Sequence, residues 1–157
     1  MFDKEKFVNA ASTAPLSTTV QQCPEGEYTA MIATGDAIDW IDPNGAIESK
    51  KNPGEVFHTI RIPIEILDDA VRAQLKRDKV TVNYDSFLDV DDSGLPDFSE
   101  GRNVGLGRIF AAVGLNAKGA SIQKLSGAGP FKVMVSHRAD PKNPENKFAE
   151  IKRVTSL

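Results

Sequence analysis

Cysteine is almost missing from this chain: Cys23 stands alone, so no internal disulfide can form, and a reducing compartment is expected. Histidine is nearly as scarce. His58 and His137 are the only two, and neither sits in a Cys/His pattern with zinc spacing. There is no Gly-x-Ser-x-Gly elbow and no phosphate loop, which removes two common routes to nucleophilic and nucleotide chemistry. No stretch approaches the roughly 18 apolar residues of a membrane span, so no membrane partner is expected. The start, Met1-Phe2-Asp3-Lys4-Glu5-Lys6, puts charges where a secretory signal needs an apolar run, and the chain is expected to stay in the cytosol.

What is present suffices for one domain. A chain of 157 residues with 40% hydrophobic content can bury a core without a disulfide or metal staple. The net charge of −3 argues mildly against a polyanionic partner, but the charge is not evenly spread. No acidic residue occurs between Arg102 and Ala139, where Arg102, Arg108, Lys118, Lys124, Lys132 and Arg138 are all basic. Immediately before lies an acidic stretch with Asp85, Asp89, Asp91, Asp92, Asp97 and Glu100. From Lys118 onward eight Lys/Arg face three Asp/Glu, a net of +5, which leaves −8 on the remainder. Such asymmetry says more about partners than the total does.

Residues 1–23 read as an arm: a short helix over 3–10, then a Ser/Thr-rich stretch over 12–19 with little to pack. The domain proper is expected over 24–157. Pro24-Glu25-Gly26 turns into a first strand that alternates from Tyr28 to Ala33 and is expected to continue, bent at Gly35, to Trp40. Turn formers crowd the stretch from Asp42-Pro43-Asn44-Gly45 to Asn52-Pro53-Gly54. A second strand over 56–64 has a nearly all-aliphatic even face, with Phe57, Thr59 and Arg61 on the other; Pro63 should fall near its end or on an unpaired edge. Leu67, Val71 and Leu75 give a short amphipathic helix over 66–76. A third strand opens at Val80 and reaches towards Val90. Asn103 is expected to cap a helix through Leu106, Ile109, Phe110 and Val113, stopped by Gly114; Gly105 and Gly107 weaken it or mark close packing. Strands over 131–135 and 148–154 complete the chain. The expected fold is mainly β: a five-stranded OB-type Greek-key barrel with a helix between strands 3 and 4 and a short extra helix between strands 2 and 3.

An OB-type barrel binds ligands on strands two and three, bordered by the loops joining strands one–two and four–five. That places Lys50 and Lys51 in one bordering loop, and His137, Arg138, Lys142 and Lys147 around the other. Phe57, Arg61, Asn83 and Phe87 are expected on the outward face, with Trp40 at the end of strand one and Lys132 on strand four. Basic side chains that track phosphates and aromatic rings that stack bases are what a binder of single-stranded nucleic acid combines. The same rings also read as core or rim packing.

Three other patterns in the sequence compete with this one. Asp89, Asp91, Ser93, Gly94, Asp97 and Glu100 match an EF-hand calcium loop at positions 1, 3, 5, 6, 9 and 12, but a strand precedes it, Gly101 follows it and Pro96 occupies an aliphatic position. Glu150-Ile151-Lys152 with Asp140 upstream resembles a fragment of a metal-dependent nuclease, though strand alternation yields the same pattern unaided. The run from Gly101 to Gly107 contains Gly105 and Gly107, yet no parallel strand feeds it as a dinucleotide site requires. His58 falls on an apolar strand face and reads as structural. No catalytic set, metal or cofactor is expected.

The second half of the chain resembles a group of small tailed-bacteriophage proteins. The likeness runs through Leu88-Asp89, Asp92-Ser93-Gly94-Leu95-Pro96-Asp97, Gly101-Arg102-Asn103-Val104-Gly105-Leu106-Gly107-Arg108 and Ala112-Val113-Gly114-Leu115-Asn116. It continues in Leu125-Ser126-Gly127, Val133-Met134-Val135-Ser136-His137-Arg138 and Ala149-Glu150-Ile151-Lys152, with Gly26-Glu27-Tyr28 fitting the start. The resemblance implies an OB-fold single-stranded-DNA-binding protein, tolerant of sequence, acting in phage DNA replication or recombination in the cytoplasm of the infected host. It implies single-stranded DNA, and phage replication or recombination proteins, as partners, with a homo-oligomer also allowed. It assigns no residue roles. The ending Ile151-Lys152-Arg153-Val154-Thr155-Ser156-Leu157 departs from the acidic tail by which many such proteins recruit partners. The alternative is a protein-interaction or virion-associated OB module that does not bind DNA.

Overall fold

The computed structural model describes residues 1–17, 21–42, 47–48, 50–51, 53–54 and 56–157. Pro43-Asn44-Gly45 and Asn52 of the expected turn-rich loop, and Thr18-Thr19 of the expected arm, lie outside the described residues. The elements run α1 (Lys4–Asn9), β1 (Gly26–Ile32), a 3-10 turn (Ala37–Trp40), β2 (Ile47–Glu48), β3 (Val56–Ile66), α2 (Asp69–Leu75), β4 (Thr81–Leu88), α3 (Val104–Ala112), a second 3-10 turn (Ile122–Leu125), β5 (Phe131–Ala139) and β6 (Lys147–Thr155).

The long strands form one antiparallel sheet in the order β4-β3-β1-β5-β6, with two-residue β2 added beside the start of β3. The expected barrel would need a ladder between the outer strands β4 and β6. None exists among the described residues, so the sheet is open. The helices fall where the sequence placed them in the order: α2 between the second and third long strands, α3 between the third and fourth. No helix among the described residues is long and apolar enough to cross a membrane.

Alternation makes the core. Ile60, Ile62, Ile64 and Ile66 of β3, Ala30 and Ile32 of β1, Val82 and Tyr84 of β4, and Phe131, Val133 and Val135 of β5 all point to the inner side, with Leu106, Ile109 and Phe110 of α3 packed against them. Gly105 is what lets α3 approach. A Cβ there would collide with Ser86 Oγ and lie 3.2 Å from its Cβ, and the Tyr84 hydroxyl donates to the Gly105 carbonyl at 2.6 Å. Gly107 has nothing within 4 Å of the same added atom. Gly114 adopts φ +74 just past the helix, as a C′ glycine should.

Several boundaries differ from the sequence expectation, each for a local reason. β1 does not continue to Trp40. It ends at Ile32; beyond it the Gly35 amide donates to Ser126 Oγ at 2.8 Å, and Asp36 then caps a 3-10 turn by accepting from the Ile38 amide. β3 runs on to Ile66, so α2 starts only at Asp69, behind an Asp68 cap that accepts from the Val71 amide at 2.9 Å. Pro63 stands inside β3. Its carbonyl accepts from the Ala33 amide at 2.9 Å, which puts its missing N–H on the same side, one residue beyond the last β1–β3 pair, Ile32↔Ile64. Asn103 occupies the N-cap position of α3 but makes no side-chain cap bond; its amide is committed to the acidic loop instead. Cys23, the last residue of the expected arm, is 3% exposed and belongs to the core, whereas α1 buries nothing.

Candidate nucleic-acid interface

The β3–β4 register decides which side chains share the outer face: Thr59↔Phe87, Arg61↔Asp85 and Pro63↔Asn83 are direct pairs. Because alternate residues face one way, Phe57, Arg61, Asn83, Asp85 and Phe87 all project from the side opposite the core. Phe57 and Phe87 meet edge-on, with centroids 5.5 Å apart and planes at 61°. Phe87 is 62% exposed and Phe57 37%, large values for phenylalanine on the flat of a sheet.

An open cleft of 610 Å³ runs beside this pair, walled by Trp40, Thr59, Arg61, Asp85, Phe87 and Arg138. A second cleft of 340 Å³ adjoins it, sharing Arg61, Asp85 and Arg138 and adding Asn83 from β4 and Phe148 and Glu150 from β6. It occupies the seam where the sheet stays open.

Of the residues expected at the site, the fold therefore gathers Arg61, Asn83, Phe87 and Arg138, and holds Phe57 against Phe87. Trp40 is a correction. The 3-10 turn swings its ring into the core, where it is 7% exposed; it walls the cleft but offers no open face for stacking. Lys50 and Lys51 are exposed beyond β2, and Lys142 and Lys147 are exposed at the β5–β6 connection, all outside the two clefts. Lys132 lies on β5 and pairs with Glu27 at 3.7 Å, also outside them. Phe148 and Glu150 were not expected at the site; the β5–β6 register, which sets Arg138 opposite Phe148, is what brings them there.

The electrostatics are balanced rather than basic. Arg61 makes a two-pronged contact with Asp85, Nε to Oδ1 at 2.8 Å and Nη2 to Oδ2 at 3.2 Å, and these hydrogen bonds first of all hold its pKa above the ordinary value. Arg138 faces Glu150 at 3.8 Å, and Asp39 and Asp42 also border the larger cleft.

The acidic loop uses its carboxylates internally. Asp91 Oδ1 accepts from the amides of Ser93 and Leu95, Asp97 Oδ1 from the amide and hydroxyl of Ser99, and Asp89 Oδ2 from the Asn103 amide at 2.6 Å. The Ser99 bonds, with Arg102 a smaller contributor, keep the Asp97 carboxyl below its usual pKa. Among the described residues no group of three or more His, Cys, Asp or Glu is arranged to hold a metal ion. Glu150, the centre of the nuclease-like fragment, has Arg138 rather than a second carboxylate beside it. His58 is half-buried and sits beside Ile41, Leu88 and Ile122, while His137 Nε2 lies 2.6 Å from the Cys23 carbonyl and ties the end of the arm to β5.

No protein family matches this chain, and no curated protein sequence does.

Proposed function

We propose that the chain is a sequence-tolerant single-stranded-DNA-binding module on an OB-type framework, acting in phage DNA replication or recombination within the host cytoplasm. The framework is supported by strand order. Counted among the long strands, β5, β1, β3 and β4 lie side by side as 4-1-2-3, the Greek-key order, with α3 in the third-to-fourth connection. The observation that carries the function is the exposed Phe57–Phe87 pair on the second and third long strands, with Arg61 and Arg138 in the adjoining cleft. Rings on a sheet face give bases something to stack on, and nearby guanidinium groups give phosphates a partner.

Anisotropy of a labelled oligo-dT tests this, with duplex of the same length as the comparison. Each base–ring stack is worth ~1–3 kcal/mol, so Phe57→Ala and Phe87→Ala should each weaken oligo-dT binding by roughly 5- to 150-fold. Wild-type protein showing no salt-sensitive binding at about 100 µM would fail even the ordinary non-specific level and end the proposal.

A second reading, a protein-interaction module without DNA affinity, is favoured by two specific observations. Both cleft arginines already face carboxylates, and Phe7 of α1 meets Phe2, just before that helix, while α1 itself buries no residue. A stable hetero-complex combined with no oligo-dT binding would select it.

A further inference from the structure

A cluster of cations without acidic partners among the described residues lies away from the aromatic face. Arg108 of α3 and Lys152 and Arg153 of β6 line a cleft of 380 Å³, together with Tyr84, Met134 and Val154, and no carboxylate lines it. Arg61, Lys132 and Arg138 each have an acidic partner within 4.0 Å. Among the described residues no such ion pair involves Arg108, Lys152 or Arg153.

A break in register puts two of these cations side by side. Consecutive strand residues normally face opposite ways. Across the β5–β6 ladder, however, Met134 pairs with Arg153 and Val135 with Ile151, which leaves Lys152 as an extra residue without a partner. Such a bulge re-aims side chains. Lys152 and Arg153 are accordingly both exposed, while Ile151 and Val154 on either side are half-buried against the core. Arg108 completes the cluster because Leu106, Ile109 and Phe110 hold the opposite side of α3 in the core. The floor is rigid and neutral: the Tyr84 hydroxyl is fixed on the Gly105 carbonyl, and burial raises its pKa, so it stays a phenol.

The cleft also lies on a continuous path. Phe148, Ala149 and Glu150 line the seam cleft next to the aromatic face, and Lys152, Arg153 and Val154 follow directly along β6. At ~3.3 Å per residue, Phe148 to Arg153 covers roughly 16 Å, a distance a bound strand of several nucleotides exceeds.

We infer that Arg108, Lys152 and Arg153 form a phosphate-binding site that holds the backbone of the single strand after it leaves the aromatic face along the β4–β6 seam. This rests on the single-stranded-DNA reading above. Released counterions give the test its magnitude. Single-strand binding loses about 0.7 in the slope of log K against log salt per phosphate neutralised, so removing three contacts should flatten the slope by about 2. Over 50 to 200 mM salt the wild type should then lose ~20-fold more affinity than Arg108→Ala/Lys152→Ala/Arg153→Ala.

The measurement is oligo-dT anisotropy at four salt concentrations on wild type, that triple variant, Arg108→Lys/Arg153→Lys, and Phe57→Ala/Phe87→Ala. The expected result is a flattened slope in the triple variant alone. The lysine variant should keep the slope, and the ring variant should bind more weakly with the slope intact, because phenylalanine neutralises no phosphate. Unchanged thermal melts show that the exposed substitutions leave the fold alone. Wild-type binding with an unaltered slope in the triple variant overturns this site and leaves the aromatic-face reading standing. No wild-type binding overturns both.

Discussion

Replacing Asn103 with alanine should unfasten the loop between β4 and α3 and remove a large part of the molecule's stability. Asn103 is 3% exposed and the one buried polar residue of the core among the described residues. Its Oδ1 accepts from the Asp89 amide at 2.8 Å, and its Nδ2 donates to the carbonyls of Asp89 at 2.9 Å and Asp97 at 2.7 Å. Three net hydrogen bonds at about 1 kcal/mol each give about 3 kcal/mol. The backbone adds to this, since Asn103 sits at φ 49, where alanine is disfavoured by about 1 kcal/mol and asparagine is tolerated. The sum is about 4 kcal/mol, against a typical domain total of 5–15. With a urea m-value of about 2 kcal/mol/M, the unfolding midpoint should drop by about 2 M. Asn103→Gly separates the two contributions: it removes the bonds but not the backbone fit, and should lose about 3 kcal/mol. Asn103→Asp keeps the acceptor, loses both donors and brings a second charge beside Asp89, so it should be no better than glycine. If Asn103→Ala falls within about 1 kcal/mol of wild type, the loop is not held by this residue and the reasoning is wrong.

Other substitutions probe single contacts. Gly105→Ala should destabilise by about 1–3 kcal/mol through overpacking on Ser86, whereas Gly107→Ala, in open space on the same helix, should stabilise by up to about 1 kcal/mol; thermal melts of the pair compare like with like. Cys23 should resist a thiol reagent at pH 8 in the folded protein and react on unfolding, because burial pushes its pKa up to about 11; stoichiometric labelling of the native chain within minutes would contradict this. The same thiol ionises first in the unfolded chain, so stability should decline as pH rises from 9.0 towards about 11, and a Cys23→Ala comparison by urea unfolding should show a flatter alkaline limb.

The long strands were legible because their physics is local and periodic. In β3 every even residue from Ile60 to Ile66 is core and Phe57 and Arg61 are not, and that alternation is written in the residue order. The Gly114 stop of α3 is an equally local signal. What stayed hidden depends on contacts made far along the chain. The break after Ile32 requires Ser126 and Gln123, some ninety residues away, to supply hydrogen bonds to the turn. Without them a strand bent at Gly35 and reaching Trp40 satisfies the same pattern, and Trp40 then counts as an exposed ring instead of a core one. Asn103 shows the same limit in polar form, because a residue type that commonly caps helices has its side chain claimed by Asp89 and Asp97 instead.

The site divides along the same line. Alternation alone sufficed to put Phe57, Arg61, Asn83 and Phe87 on one face, since Arg61, Asn83 and Phe87 lie within one regular ladder and Phe57 continues the alternation of β3 beside β2. It failed for charge, because whether a cation is available depends on its cross-strand neighbour. Arg61 finds Asp85 opposite and Arg138 finds Glu150 diagonally across, so the two arginines that the fold gathers at the cleft are neutralised ones. In an unbroken strand Lys152 and Arg153 would face opposite sides. Only the register change at Met134/Val135 turns both outward and sets them beside Arg108, whose own place depends on α3 packing through Gly105. A net charge of −3 is therefore no argument against a phosphate site. The acidic excess is concentrated in a loop whose Asp89, Asp91 and Asp97 bind its own backbone, while the register change and the packing of α3 together assemble three cations with no carboxylate lining their cleft.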